Sequence, residues 1–153
     1  MQRTPTKLYF DGGSRPNPGP IETAVVVRGI NHVRTGLEAG DSNRAEWLAL
    51  IHAAEIAIHL GLDDVVFVGD SALVIHQAKG EWKCRGEGFQ ALLARFRALA
   101  EQLPTVKLRQ VKRSQNLAGI ALERLHGGLG VARAPEAVAP DFRSVQNRLD
   151  IRR

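Results

Sequence analysis

Between Gly61 and Gly69 the chain carries Val65-Val66-Phe67-Val68, an unbroken β-branched and aromatic run that leads directly into Asp70. A run without polar alternation marks a strand buried on both faces, which requires helices on either side of its sheet. The rest of the chain supplies the neighbours. Lys7–Phe10 reads as a short strand that ends at Asp11 and breaks into a Gly- and Pro-rich turn, Gly12–Pro20. Thr23–Val27 and His32–Leu37 follow as strands, with Arg28-Gly29-Ile30-Asn31 as the hairpin between them. From Asn43 to Leu60, Trp47, Leu48, Leu50, Ile51, Ala54 and Ile58 recur at helical spacing behind an Asp41/Ser42/Asn43 start signal, and Gly61 stops the run. Helices over about Ser71–Lys79, Phe89–Leu103 and Gln115–His126, with a strand Val106–Val111, complete the order βββαβααβα. The expected fold is α/β, a mixed five-stranded sheet with helices on both faces.

The 153 residues, 44% of them hydrophobic, suit one globular domain with a real core. A domain over residues 1–126 is expected, followed by a linker and tail over 127–153. That last stretch holds GGLG and APEAVAP, scattered arginines and no periodicity before Phe142–Ile151. The single cysteine, Cys84, excludes an intramolecular disulfide framework. With no charged-then-apolar leader, a cytoplasmic home is the simplest expectation. No apolar run approaches the ~18 residues of a membrane span, and a monomer is expected. Net charge is +5, which suits a polyanionic partner. The excess is local, because Lys83 to Arg113 carries eight Lys/Arg against two Glu. If nucleic acid binds, that stretch should face it.

Three carboxylates stand where the expected elements would deliver them to one site: Asp11 and Asp70 at the ends of apolar strands, and Glu46 in the first turn of a helix. Mg²⁺ takes oxygen ligands and is usually held by a few carboxylates together with substrate phosphates. The partner this implies is a phosphate ester.

The motifs DGGSRPNPG, SNRAE, the DS after VVFVG, and EWK, taken in order, resemble the ribonuclease H family, type one, over roughly residues 6–126. The resemblance implies cleavage of the RNA strand of an RNA/DNA hybrid, assisted by Mg²⁺ or Mn²⁺, leaving 3′-hydroxyl and 5′-phosphate ends. It makes Asp11 the bridge between two ions, with Glu46 and Asp70 binding one of them and a fourth carboxylate completing the shell of the second. It places Gly12, Asn17, Ser42 and Asn43 at substrate-binding positions, the last three on the RNA strand. It sets Trp82 against a deoxyribose of the DNA strand, and Arg113 where relatives carry a His or Arg thought to help product release. The chain departs from the family in two places. The last motif reads Asn116-Leu117-Ala118-Gly119-Ile120-Ala121-Leu122, so Ile120 occupies the position of a fourth carboxylate, with Glu123 one turn on as a distant helper. The Lys/Arg-rich protrusion that some relatives carry after the tryptophan is absent here.

Two readings follow from Ile120: retained but reduced, or Mn²⁺-dependent, cleavage; or a catalytically weak nucleic-acid-binding module. A nuclease on DNA or RNA alone is a third, disfavoured by Asn17 and Asn43. Plainer roles stand beside several of these residues. Asn17 suits a turn between prolines, Ser42 and Asn43 suit a helix N-cap, and Trp47 shares the helix's apolar face as core. His52, His59 and His76 lack a partnering metal cluster, Cys84 reads as an incidental thiol, and the Lys83–Arg113 charges also suit a solvated face.

Overall fold

A computed structural model describes residues 4–127. The strands are β1 (Thr6–Ser14), β2 (Gly19–Val27), β3 (Ile30–Gly40), β4 (Asp64–Gly69) and β5 (Thr105–Gln110), and the helices are α1 (Ser42–His59), α2 (Ala72–Ala78), α3 (Glu87–Ala100) and α4 (Leu117–His126). The expected linker and tail, Gly127 apart, lie outside the described residues.

The strands form one sheet in the order β3-β2-β1-β4-β5. The β1–β2 and β2–β3 pairs are antiparallel, whereas β1–β4 and β4–β5 are parallel. The central strand β1 therefore changes pairing sense from one edge to the other, and β1 and β4 point their C-terminal ends the same way. Both sheet faces are covered. Leu8, Phe10, Val25, Val65 and Phe67 pack against α1 and α3 residues including Trp47, Leu50, Phe96 and Leu99, while Ala24 and Val26 pack against Ala118 and Leu122 of α4. At the edge, β5 packs the half-buried Val106 and Leu108 against the core and exposes Lys107 and Arg109, the charged-edge pattern that discourages pairing with another chain.

Three local expectations change. First, β1 does not stop at Asp11. Gly12, Gly13 and Ser14 continue the ladder opposite Thr23, Glu22 and Ile21, because a ladder is made by backbone groups that glycine possesses like any residue. Gly12 is needed for a different reason: a Cβ there would lie 2.1 Å from the carbonyl oxygen of Ala45 in α1. Second, the hairpin is a two-residue turn. Arg28 and Gly29 both have positive φ, and Val27 pairs with Ile30, as a tight turn matched to strand twist requires. Third, α1 is not a surface helix with one apolar stripe. Everything from Ala49 to Ala57 is buried, His52 and Glu55 included, as expected of a helix held between a sheet and another helix. The buried His52 ring meets the Thr23 hydroxyl at 2.8 Å, and burial, reinforced by Arg34, holds the imidazole well below its usual pKa. Arg34 and Arg95 both pair with Glu55.

Candidate active site

Asp11 reaches the site from the middle of the sheet and is almost fully buried. Asp70 follows β4 on the neighbouring parallel strand, so adjacent strands deliver both carboxylates at one end of the sheet. The third, Glu46, comes from the first turns of α1, brought close by the missing Cβ of Gly12, whose backbone N–H donates to Glu46 Oε1 at 3.3 Å. One oxygen from each of Asp11, Glu46 and Asp70 lies within 4.8 Å of the others.

Packing three acids so closely is electrostatically costly, and their titration shows it. Burial pushes Asp11 up to about 6; Arg113 opposes the shift and Asp70 adds to it. Burial also holds Glu46 well above the ordinary carboxylate range, helped by Asp11 and Asp70. Such a cluster calls for a cation, and an all-oxygen donor set from three elements fits a hard divalent ion.

One cation is already built in. Arg113, in a single 3₁₀ turn (Arg113–Gln115) before α4, donates from Nη1 to Asp11 Oδ1 at 2.9 Å and to Asp70 Oδ2 at 3.3 Å. Its Nη2 lies 3.8 Å from Glu123 Oε2. Burial works against this cation, but Asp11, Asp70 and Glu123 outweigh it and raise its pKa.

Asn116 holds the arrangement together; the sequence places it at the head of the last motif without showing this role. Its Nδ2 donates to the Phe10 carbonyl at 3.0 Å and to Asp70 Oδ2 at 2.8 Å, while its Oδ1 caps α4 at the Ala118 N–H. The available signal was an Asn just ahead of a helical apolar run. Further along α4, a Cβ on Gly119 would point at the site and lie 3.5 Å from Asp11 Oδ2. Ile120 is half-buried beside it.

Among the remaining positions, Asn17 and Ser42 come together at the surface. Ser14 Oγ donates to Asn17 Oδ1 at 3.1 Å, and Asn17 Nδ2 reaches Ser42 Oγ at 3.5 Å. The N-cap of α1 is Asp41, which accepts from the Arg44 N–H. Ser42 and Asn43 are therefore not the cap, and both are exposed. Trp82 follows α2, 48% exposed, with its ring stacked on His76 at 4.4 Å. Gln77 anchors this loop by donating to the Lys83 carbonyl and accepting from Trp47 Nε1, and Trp47 itself is fully buried. Cys84 is half-buried, which pushes its thiol up and away from a reactive thiolate. The basic stretch is divided. Arg95 and Arg113 are held by internal carboxylates, whereas Lys83, Arg85, Arg97, Lys107, Arg109 and Lys112 are exposed without such a partner among the described residues.

The sequence model of a family described as Reverse transcriptase-like matches residues 11–124. The fold is similar to the crystal structure of RNase H1 from Halobacterium salinarum, with a TM-score of 0.74 and 32% identity over 82% of this chain and 100% of that one. The chain belongs to the ribonuclease H family. Among curated ribonuclease H relatives, Ribonuclease HI of Halobacterium salinarum is 36% identical over 121 residues, covering 74% of this chain and 60% of that protein. A bifunctional protein of Mycobacterium tuberculosis is 33% identical over 115 residues, 71% of this chain but 32% of its own length. The chain thus spans less than two thirds of the curated relatives it matches. A further ribonuclease H structure, LC11-RNase H1 in complex with an RNA/DNA hybrid, has a TM-score of 0.65 and 29% identity over 72% of this chain and 88% of that one. Among the described residues, no helix is long and apolar enough to cross a membrane.

Proposed function

We propose that this chain hydrolyses the RNA strand of RNA/DNA hybrids with the help of Mg²⁺ or Mn²⁺. The observation that carries the reading is the trio Asp11, Glu46 and Asp70, gathered within 4.8 Å in a ribonuclease H fold. A similar protein crystallised on an RNA/DNA hybrid supports the substrate class.

Asp11, Glu46 and Asp70 would hold the metal. When bound, a divalent ion supplies Lewis acidity, strengthening water as a nucleophile and offsetting charge on the phosphoryl oxygens. The chain's own part is preorganisation. Asn116 fixes the Asp70 carboxylate, and the Gly12 N–H fixes Glu46, so the donor oxygens need little rearrangement. The exposed Asn17, Ser42 and Asn43 present hydroxyl and amide groups suited to reading a 2′-hydroxyl, the group that distinguishes RNA from DNA. Trp82 offers an exposed ring face to the deoxyribose strand. The family resemblance puts Ile120 at the fourth-ligand position, and neither Ile120 nor Gly119, whose Cβ direction faces Asp11, supplies an oxygen, so α4 adds no strong donor to the site.

The test is a labelled RNA/DNA hybrid, duplex DNA and duplex RNA, each incubated with the protein and Mg²⁺ or Mn²⁺. Cleavage of the RNA strand in the hybrid alone, leaving 3′-hydroxyl and 5′-phosphate ends, is the expected result. Binding of hybrid without cleavage under either ion would leave the chain a nucleic-acid-binding module.

A further inference from the structure

We propose that Arg113 serves as the fixed second cation of this site, so that the chain works with one divalent ion. The inference rests on the hydrolase reading above and goes on to count its ions.

The position of the guanidinium carries the argument. One nitrogen, Nη1, lies between two of the three metal-binding carboxylates, 2.9 Å from Asp11 and 3.3 Å from Asp70. Arg113 bridges Asp11 and Asp70, whereas Glu46 takes its hydrogen bond from the Gly12 N–H. Charge permits it: one divalent ion and one guanidinium neutralise the three carboxylates. The residues around the guanidinium accommodate it. A Cβ on Gly119 would sit 3.3 Å from Nη1, so the absence of a side chain there leaves room, and half-buried Ile120 brings no competing oxygen. Glu123 steadies Nη2 from the next turn of α4.

Arginine suits the role. Its guanidinium cannot give up its charge in a protein, and its planar fork has more donors than the two carboxylates use. The Arg113 side chain is 52% exposed, so a phosphoryl oxygen of the substrate has access to the remaining N–H groups. Unlike a bound ion, this cation is present at every metal concentration.

The experiment uses the full chain and Mn²⁺ alone, counted by the electron paramagnetic resonance signal of the free aquo ion, followed by the order of hybrid cleavage in Mn²⁺. Wild-type protein should bind one Mn²⁺ and cleave with first-order dependence below saturation. Arg113→Ala should bind that ion about tenfold more tightly, because a neighbouring positive charge is gone. Its cleavage should become second order, because a second ion must replace the missing cation. Arg113→Lys, which keeps the charge, should stay first order. Two ions on the wild-type chain, second-order wild-type cleavage, or an Arg113→Ala protein with unchanged Mn²⁺ affinity would each overturn the proposal. If no form cuts hybrid, the hydrolase reading fails, while the Mn²⁺ titration still decides whether Arg113 governs the ion.

Discussion

Asp11 concentrates the site's cost and its chemistry in one side chain. With its pKa raised from 3.8 to about 6, the folded protein retains a proton there that the unfolded chain has already released. The stability this contributes is full below about pH 4 and is lost as pH rises through 6. Asp11→Asn should therefore be more stable than wild type above pH 6, by roughly 1–3 kcal/mol, with the gap closing toward pH 4. Denaturant melts of both proteins at pH 4, 6 and 8 in the absence of metal measure it, and a gap that widened toward acid would contradict the assignment. The same variant, like Asp70→Asn, should show no hybrid cleavage, because each removes an oxygen donor from the trio while leaving the fold intact. Near wild-type cutting by either would move the active site elsewhere.

At the scale of elements, the contact between β1 and α1 decides whether the trio forms at all. Gly12→Ala would force a methyl group into the Ala45 carbonyl. Because the obstacle is backbone, the helix must move, and with it Glu46. The expected outcome is a loss of several kcal/mol in a chemical melt together with loss of metal binding. A fully stable Gly12→Ala protein would mean that the approach is looser than it looks. This contact also marks where the sequence stops being readable. Val65–Val68 announced β4, the spacing of Trp47 to Ile58 announced α1, and the three carboxylates were found because each sits beside an apolar element. The continuation of β1 through Gly12–Ser14 was hidden, since glycines punctuate a sequence as turns while their pairing with β2 is made by backbone alone. The burial of His52 and Glu55 was hidden for a related reason: polar residues on a helix read as its outer face unless the arginines that enclose them are already known. Arg113 and Asn116 lie more than a hundred residues from Asp11 and Phe10, the groups they bind. Only the assembled sheet brings them there.

For the whole molecule, the distribution of charge sets how it meets a polyanion. With Arg95 and Arg113 committed to internal carboxylates, the exposed Lys83, Arg85, Arg97, Lys107, Arg109 and Lys112 are the members of the basic stretch left to contact phosphates. Hybrid affinity should fall linearly in log–log form with salt, by about 0.7–0.9 per phosphate neutralised. Fluorescence anisotropy from 50 to 300 mM KCl checks this, and salt-independent binding would point to a different partner. The order β3-β2-β1-β4-β5 has one more implication. Because Asp11 belongs to the central strand, paired on one side with β2 and flanked on the other by β4, the site is not mounted on a loop that can come loose by itself. Curves of heat inactivation and of unfolding should superimpose, and no warm, native-looking but inert form should accumulate between them.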